Sequence, residues 1–394
     1  MQTTVQYLRM AGQALRYPFM INGWHLSTRP LALTHSVTIA CNSLCKTCGI
    51  GAHYRANPEL AWRDLTCDEI DKIYRSIGPL YFYNISGGEP FLRDDLDKIV
   101  ECALLRLKPK VIHIPTNALL PQKIKKKTQQ ILKKIERHQS KAILTIKPSI
   151  DGIGATHDQI RGVEGSFAKL TETIQILQDI SRSHDCFFLE LGTVVSRFNM
   201  EDLDAIQKFV HSLNIQSYRN EIAEIRAEFF NENDDITPDA ENYRLLMKHF
   251  KAGIKNNIQG KKIWTKKTEA LRLIYYDLVP RIMEEKKRVF PCYAGLSSIH
   301  LNHDGELWPC CILGYSRPLG HFRSPSINYD YQRLMKFAQA LSTLEFIRRG
   351  NCFCTMANQT YANILFHIPS LWKTFFCFLG LVLNNGEKKH MESS

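Results

Sequence analysis

The sequence predicts an α/β protein: a partial (β/α)6 barrel followed by a small cysteine-rich C-terminal domain. Three observations carry this. From residue 31, short β-rich runs alternate with amphipathic helical runs, the pitch of βαβ units and a parallel sheet. Five or six such units fit into roughly 195 residues, too few for a closed eight-fold barrel. From 291 the texture turns to Cys, Gly, His and short β-like runs. No G-x-G-x-x-G follows the first β-rich run, which weakens the dinucleotide-binding alternative.

The elements follow in order. "LALTHSVTIA" (31–40) reads as a strand, and "TCDEIDKIYRSI" (66–77) as a helix capped by Thr66 with Glu69 three residues on. "LYFYNIS" (80–86), "KVIHIPTN" (110–117), "AILTIKPSID" (142–151) and "CFFLELGTVVS" (186–196) are the next strands. Helices over 93–107, 123–138, 166–182 and 200–213 separate them, and "IQSYRNEIAE" (215–224) is the sixth strand. The expected organisation is an N-terminal amphipathic helix (1–30), the barrel (31–235), a polar helical connector (236–290), the cysteine-rich domain (291–360) and an apolar tail (361–394).

A net charge of +12 and a pI near 9.1 favour anionic partners. No basic tract is interleaved with aromatics, so nucleic acid is disfavoured. Twelve cysteines would suit a disulfide scaffold in a short secreted chain. Here the N-terminal stretch lacks a signal peptide's continuous apolar core, so tightly spaced cysteines point to metal binding or reactivity in the cytoplasm.

"IACNSLCKTCGI" (39–50) places Cys41, Cys45 and Cys48 directly after the first strand. Active sites of parallel α/β folds occupy that edge. Three thiolates can hold three irons of a [4Fe–4S] cluster and leave the fourth open to a small molecule. The competing readings are a zinc site completed by His53, or unrelated buried thiols. The second mark is "SGGEP": Gly87, Gly88, Glu89 and Pro90 end the second strand, and the glycines permit close backbone approach.

With these motifs the chain resembles the radical S-adenosylmethionine (radical SAM) superfamily, over about residues 31–225. One departure is Thr47, where that family usually has an aromatic residue. The resemblance implies a catalytic [4Fe–4S] cluster on Cys41, Cys45 and Cys48, with SAM held by Gly87, Gly88, Glu89 and Pro90. Asn117, Ser149, Asp151 and Arg161 are the further cofactor-binding candidates it implies, and "TVVSRFN" (193–199) is the apolar wall for adenine. Reductive cleavage of SAM would give a 5′-deoxyadenosyl radical that abstracts hydrogen from a substrate. A flavodoxin or ferredoxin is the implied electron donor.

"FPCYAGLSSIHLNHDGELWPCC" and "GNCFC" supply a second set. The spacing resembles the SPASM or twitch extension of the same superfamily, which implies an iron–sulfur domain with one auxiliary [4Fe–4S] cluster. Cys292, Cys310, Cys352 and Cys354 are its expected ligands, with Cys311 as spare. Structural zinc is the competing occupant. Cys67, Cys102 and Cys186 read as packing thiols.

The tail "ILFHIPSLWKTFFCFLGLVL" (364–383) is interrupted by Pro369 and Lys373, so it reads as an interfacial helix, with Lys388 and Lys389 beside it, rather than a membrane span. The N-terminal aromatics Tyr7, Tyr17 and Phe19 allow a similar contact on the inner membrane face. Two substrate classes stay open: a peptide or protein, and a membrane lipid or lipid-linked intermediate. A non-catalytic iron–sulfur or zinc protein is the alternative of another class. "YRNEIAEIRAEFF" (218–230) either lines a pocket or pairs its charges along a helix.

Overall fold

The computed structural model describes residues 8, 10–21, 29–215, 217–256, 258, 259, 261 and 263–383. Six strands, β1 (Ala32–Ser36), β2 (Phe82–Ser86), β3 (Val111–Thr116), β4 (Ile143–Pro148), β5 (Phe187–Val195) and β6 (Ser217–Ile222), lie side by side in chain order. Every neighbouring pair is parallel. A doubly wound sheet reverses at a switch point; an unbroken order from one to six does not, and this is the partial barrel.

The connecting helices are Cys67–Ile77, Leu96–Arg106, Pro121–Arg137, Ser166–Ser183 and Leu203–Ser212. Local chemistry starts the first where the sequence indicated. Thr66 and Glu69 close a reciprocal capping box at the first. Ile70, Ile73, Tyr74 and Ile77 of that helix are buried, as are Leu33, Tyr83, Ile85, Ile112, Ile114, Leu144, Ile146, Leu189 and Leu191 of the strands. Each such side chain contributes about 1.5–3 kcal/mol.

The alternate strand positions are polar. Thr34, Asn84 and His113 share one register across β1, β2 and β3. Asn84 Oδ1 lies 2.6 Å from His113 Nδ1. Glu190 is buried and accepts from Arg272 Nη2 at 2.6 Å while pairing with Arg219. Lys147 and Glu221 add a further pair at 3.5 Å.

The region beyond 291 continues the same sheet. Strand β7 (Ser298–Leu301) pairs in parallel with β1, and β8 (Glu306–Trp308) and β9 (Gly320–His321) follow antiparallel. The connector contains helices Ala240–Asn256 and Ile263–Glu285. Its polar composition conceals an apolar face, for Tyr243, Met247, Tyr275, Tyr276 and Val279 are buried in the main core.

Helices Ala357–Phe366 and Ile368–Leu383 meet at 97°, and among the described residues no single helix is long and apolar enough to cross a membrane. Leu381 packs with Ala270 and Leu273, while Trp372, Phe375 and Phe376 are exposed. Tyr17 is buried, donates to the Arg29 carbonyl at 2.6 Å and packs on Phe366. Leu15 and Phe19 beside it are exposed. Tyr7, Lys388 and Lys389 lie outside the described residues.

Candidate active site

The loop 41–48 leaves the C-terminal edge of β1 and is pinned by backbone. Leu44 N donates to Arg161 O at 3.0 Å, Lys46 N to Ile160 O at 2.8 Å, and Gly49 N to Phe229 O at 2.6 Å. At Gly162, with φ +64°, a Cβ would meet Leu44 O at 2.3 Å, so only glycine fits both the turn and the approach.

Burial pushes the Cys41 thiol up to about 12 and the Cys48 thiol further still. Such thiols ionise when a bound cation supplies compensating charge, as a coordinating metal centre does. The alternative of zinc completed by His53 fails on geometry. The His53 ring stacks on Phe230 at 3.9 Å between centroids. Among the described residues, neither His53 with the three thiols nor the thiols themselves come within 4.8 Å of one another as a set. Tetrahedral zinc thiolates with bonds near 2.3 Å stand closer, at about 3.8 Å.

Arg161 closes the site from helix Ala155–Arg161. Its Nη1 donates to Cys45 Sγ at 3.3 Å, and its Nε lies 3.1 Å from Asp151 Oδ2. Its Nη2 is buried without a hydrogen-bond partner. An unmatched buried guanidinium N–H beside the thiols suits an anionic group such as a carboxylate. Asp151 is engaged, since Oδ1 accepts from Val194 N at 2.9 Å, so it orients Arg161. Ser149 is half-buried, and its backbone N–H donates to Thr116 O at 3.1 Å.

The G-G-E-P turn packs against the same loop. Gly88 N donates to Thr38 O at 2.9 Å and Glu89 N to Ala40 O at 2.8 Å. A Cβ on Gly87 would meet Thr38 O at 2.3 Å, and one on Gly88 would meet Ala40 O at 2.2 Å. Pro90 is buried at the start of the short turn Pro90–Leu92. The Glu89 carboxylate ties β2 to β3. Oε2 accepts from Asn117 N at 2.7 Å, and Oε1 from Thr116 Oγ1 at 2.9 Å and Phe91 N at 3.1 Å. Burial pushes this carboxyl up to about 7, against three donors that pull it down. Asn117 Nδ2 then donates to Asn42 Oδ1 at 2.8 Å, returning to the cysteine loop. Phe198, from the expected adenine wall, reaches that loop as well, with Lys46 Nζ 5.3 Å from its ring centroid.

A small pocket opens beside the loop, lined among others by Thr38, Gly87, Gly88, Glu228, Phe230 and Tyr315. The stretch 218–230 divides: its N-terminal part pairs charges on a strand rather than along a helix, and its C-terminal part lines the cavity. Arg219 and Glu221 on β6 join the buried charge network, and Glu228 and Phe230 form cavity wall. The alternating charges of that stretch were the available signal; its strand was legible over 215–224, whereas the turn after it was not.

The second cysteine set gathers behind this wall. Cys292, Cys310 and Cys352 share an apolar cluster with Leu313 and Ile347. The charges of Cys292 and Cys310 both act on Cys354. Burial pushes Cys310 up to about 12, and Arg288 Nη2 donates to Cys352 Sγ at 3.0 Å. Cys311 turns away from its neighbour, with Arg226 Nη1 at 3.4 Å and Met356 Sδ at 2.8 Å from its sulfur. Cys67, Cys102 and Cys186 are half-buried packing residues against the main core.

A strand-end three-cysteine loop on an ordered six-strand partial barrel defines a class. Residues 35–210 match the radical SAM superfamily, so the chain carries a radical SAM domain and is an enzyme. That domain implies a [4Fe–4S] cluster and SAM.

Among its relatives, the antilisterial bacteriocin subtilosin biosynthesis protein AlbA of Bacillus subtilis is 25% identical over 88% of this chain and 70% of its own length. The mycofactocin maturase MftC of Mycolicibacterium smegmatis is 27% identical over 44% of this chain and 40% of its own length. Streptococcus suis SuiB, solved bound to its precursor peptide SuiA, has a TM-score of 0.54 at 17% identity, covering 82% of this chain and 69% of that one. At that identity the likeness is one of fold.

Proposed function

We propose that this enzyme generates a 5′-deoxyadenosyl radical from SAM and uses it to abstract hydrogen from a peptide or protein substrate. The observation that carries the reading is a shared pocket, lined by Ile39 and Ile50 on either side of the cysteine loop in sequence, by Gly87 and Gly88 of the G-G-E-P turn, and by Glu228, Phe230 and Tyr315. Relatives whose names record bacteriocin biosynthesis and mycofactocin maturation support the peptide class, as does a solved neighbour carrying a precursor peptide.

In this reading Cys41, Cys45 and Cys48 hold the catalytic [4Fe–4S] cluster. When bound, the cluster supplies the electron that cleaves the SAM sulfonium bond. The chain's own residues do the positioning. The buried Arg161 Nη2 faces the site as a donor for the SAM carboxylate, with Asp151 fixing the guanidinium. Gly87 and Gly88 keep the β2 end close against the loop, and Glu89 and Asn117 hold β3 to it. Ser149 and Pro90 complete the rim of the cofactor site.

Cys292, Cys310, Cys352 and Cys354 hold one auxiliary [4Fe–4S] cluster in a SPASM-like or twitch-like region spanning about 291–360. Among the described residues no three of these sulfurs lie within 4.8 Å of one another, wider than the roughly 3.8 Å of a tetrahedral zinc thiolate set, which favours a cluster over zinc. A flavodoxin or ferredoxin supplies the electron.

The test is anaerobic reconstitution, dithionite reduction, chromatography for 5′-deoxyadenosine, and iron counting. Roughly eight irons per chain, with SAM cleavage abolished in Cys45→Ala, is the expected result. About four irons, or zinc in the second set, would remove the auxiliary cluster from the reading.

A second reading keeps the chemistry but takes a membrane lipid or lipid-linked intermediate as substrate, with peripheral membrane contact. The exposed Trp372, Phe375 and Phe376 on helix Ile368–Leu383 favour it. Binding to anionic vesicles, with activity lost on deleting 364–394, would select it over the peptide.

A further inference from the structure

Three side chains that neither cysteine set uses converge beside the cavity, which Glu228 also lines. Glu228, His300 and Cys311 are all buried, and their ligating atoms lie within 4.8 Å of one another. They come from three segments: the turn Ala227–Phe229, strand β7, and the loop directly after Cys310. We propose that Glu228, His300 and Cys311 form a mononuclear site for a divalent cation of the zinc class, separate from both iron–sulfur centres.

The donor set fits such an ion. One carboxylate oxygen, one imidazole nitrogen and one thiolate are the ligand types of borderline metals, and three protein ligands leave a fourth position open. Ser36 Oγ, at the end of β1, lies 2.8 Å from His300 Nε2, the nitrogen 3.6 Å from Glu228 Oε1, so an ion would take this lone pair in place of the hydroxyl. Trp308 packs against the same ring at 4.9 Å between centroids.

Charge points the same way. Arg226 pairs with Glu224 at 2.7 Å, lies 3.8 Å from Glu228 Oε2 and donates to Cys311 Sγ. One thiol and two carboxylates thus crowd a single guanidinium, and buried charge is retained where it is paired or coordinates metal. Such an ion would join β7, the segment after β6 and the 310–311 loop.

Zinc and iron counted together on the reconstituted holoenzyme test this, after incubation with one equivalent of zinc and desalting. The expected result is about one zinc per chain above the iron–sulfur complement. Glu228→Gln, His300→Gln and Cys311→Ser should each lower zinc at least tenfold and leave iron unchanged. No stoichiometric zinc in the wild type, zinc retained in all three variants, or iron lost in Cys311→Ser would each overturn the proposal. Should a variant fail to fold, zinc-edge X-ray absorption on the wild-type holoenzyme decides. One sulfur at about 2.3 Å with nitrogen and oxygen near 2.0 Å supports the site, and a shell of several sulfurs refutes it.

Discussion

Glu89→Gln isolates the bond that joins two strand ends beneath the cofactor site. Three donors converge on the two carboxylate oxygens: Asn117 N at 2.7 Å on one, Thr116 Oγ1 at 2.9 Å and Phe91 N at 3.1 Å on the other. A glutamine has one acceptor oxygen, so either orientation turns an NH2 toward a backbone N–H. The change removes a charge-assisted bond worth about 1.5–3 kcal/mol and strands a buried donor at about 1–3 kcal/mol. Partial relaxation brings the expected local loss to about 2–4 kcal/mol. Hydrogen exchange resolves it, because the Phe91 and Asn117 amides are protected by this carboxylate. At tenfold per 1.4 kcal/mol, their exchange should accelerate about 30- to 700-fold. Protection within threefold of wild type at both amides would refute the reasoning.

Gly88→Ala forces a Cβ to within 2.2 Å of Ala40 O and 2.6 Å of Ala40 C, both backbone atoms. The loop must shift, so we expect about 1–3 kcal/mol of destabilisation and reduced iron retention at the catalytic set, read by iron counting. Glu190→Gln leaves Arg219 and Arg272 facing each other in the barrel interior without their shared counter-charge. Removing one partner of a buried pair costs about 3–5 kcal/mol, and a denaturant midpoint unchanged from wild type would contradict the assigned network. The hydrogen-bonded Arg323 holds Glu69 at about 2, below its ordinary value of 4.5. The stabilisation is therefore fully present above pH 4.5 and lost as pH falls toward 2. Glu69→Gln should remove about 1 kcal/mol after solvent screening, and stability curves of variant and wild type should converge over that acid window.

What was legible in the sequence was local. The capping box at Thr66 and Glu69, the strand-to-helix alternation and the cysteine spacings each lie within a few residues, and each is present as read. The site's finer wiring was not. Arg161 finds Cys45 across 116 positions, and Asn117 finds Asn42 across 75. No short-range pattern encodes such meetings; only the barrel's curvature brings strand ends together. The glycines of the G-G-E-P turn read as room for a ligand, whereas their Cβ directions are filled by the cysteine loop's own backbone. The connector read as polar because its apolar positions, such as Tyr243, Met247 and Tyr276, are spread among charges that face water. The tail's aromatic character was plain, but the 97° bend that separates its two helices was not.

The pairing of β7 with β1 has a consequence for how the chain is made. Ala32 pairs with Ser298, so β1 is synthesised long before the strand that covers its outer edge. At about 5–20 residues per second, that edge waits on the order of 10–50 s on the ribosome. An uncovered strand edge is a template for other chains. Expression yield should therefore depend on translation speed and on holdase chaperones during that interval. A fragment ending at 235 would keep the edge bare permanently and should aggregate where the full chain does not.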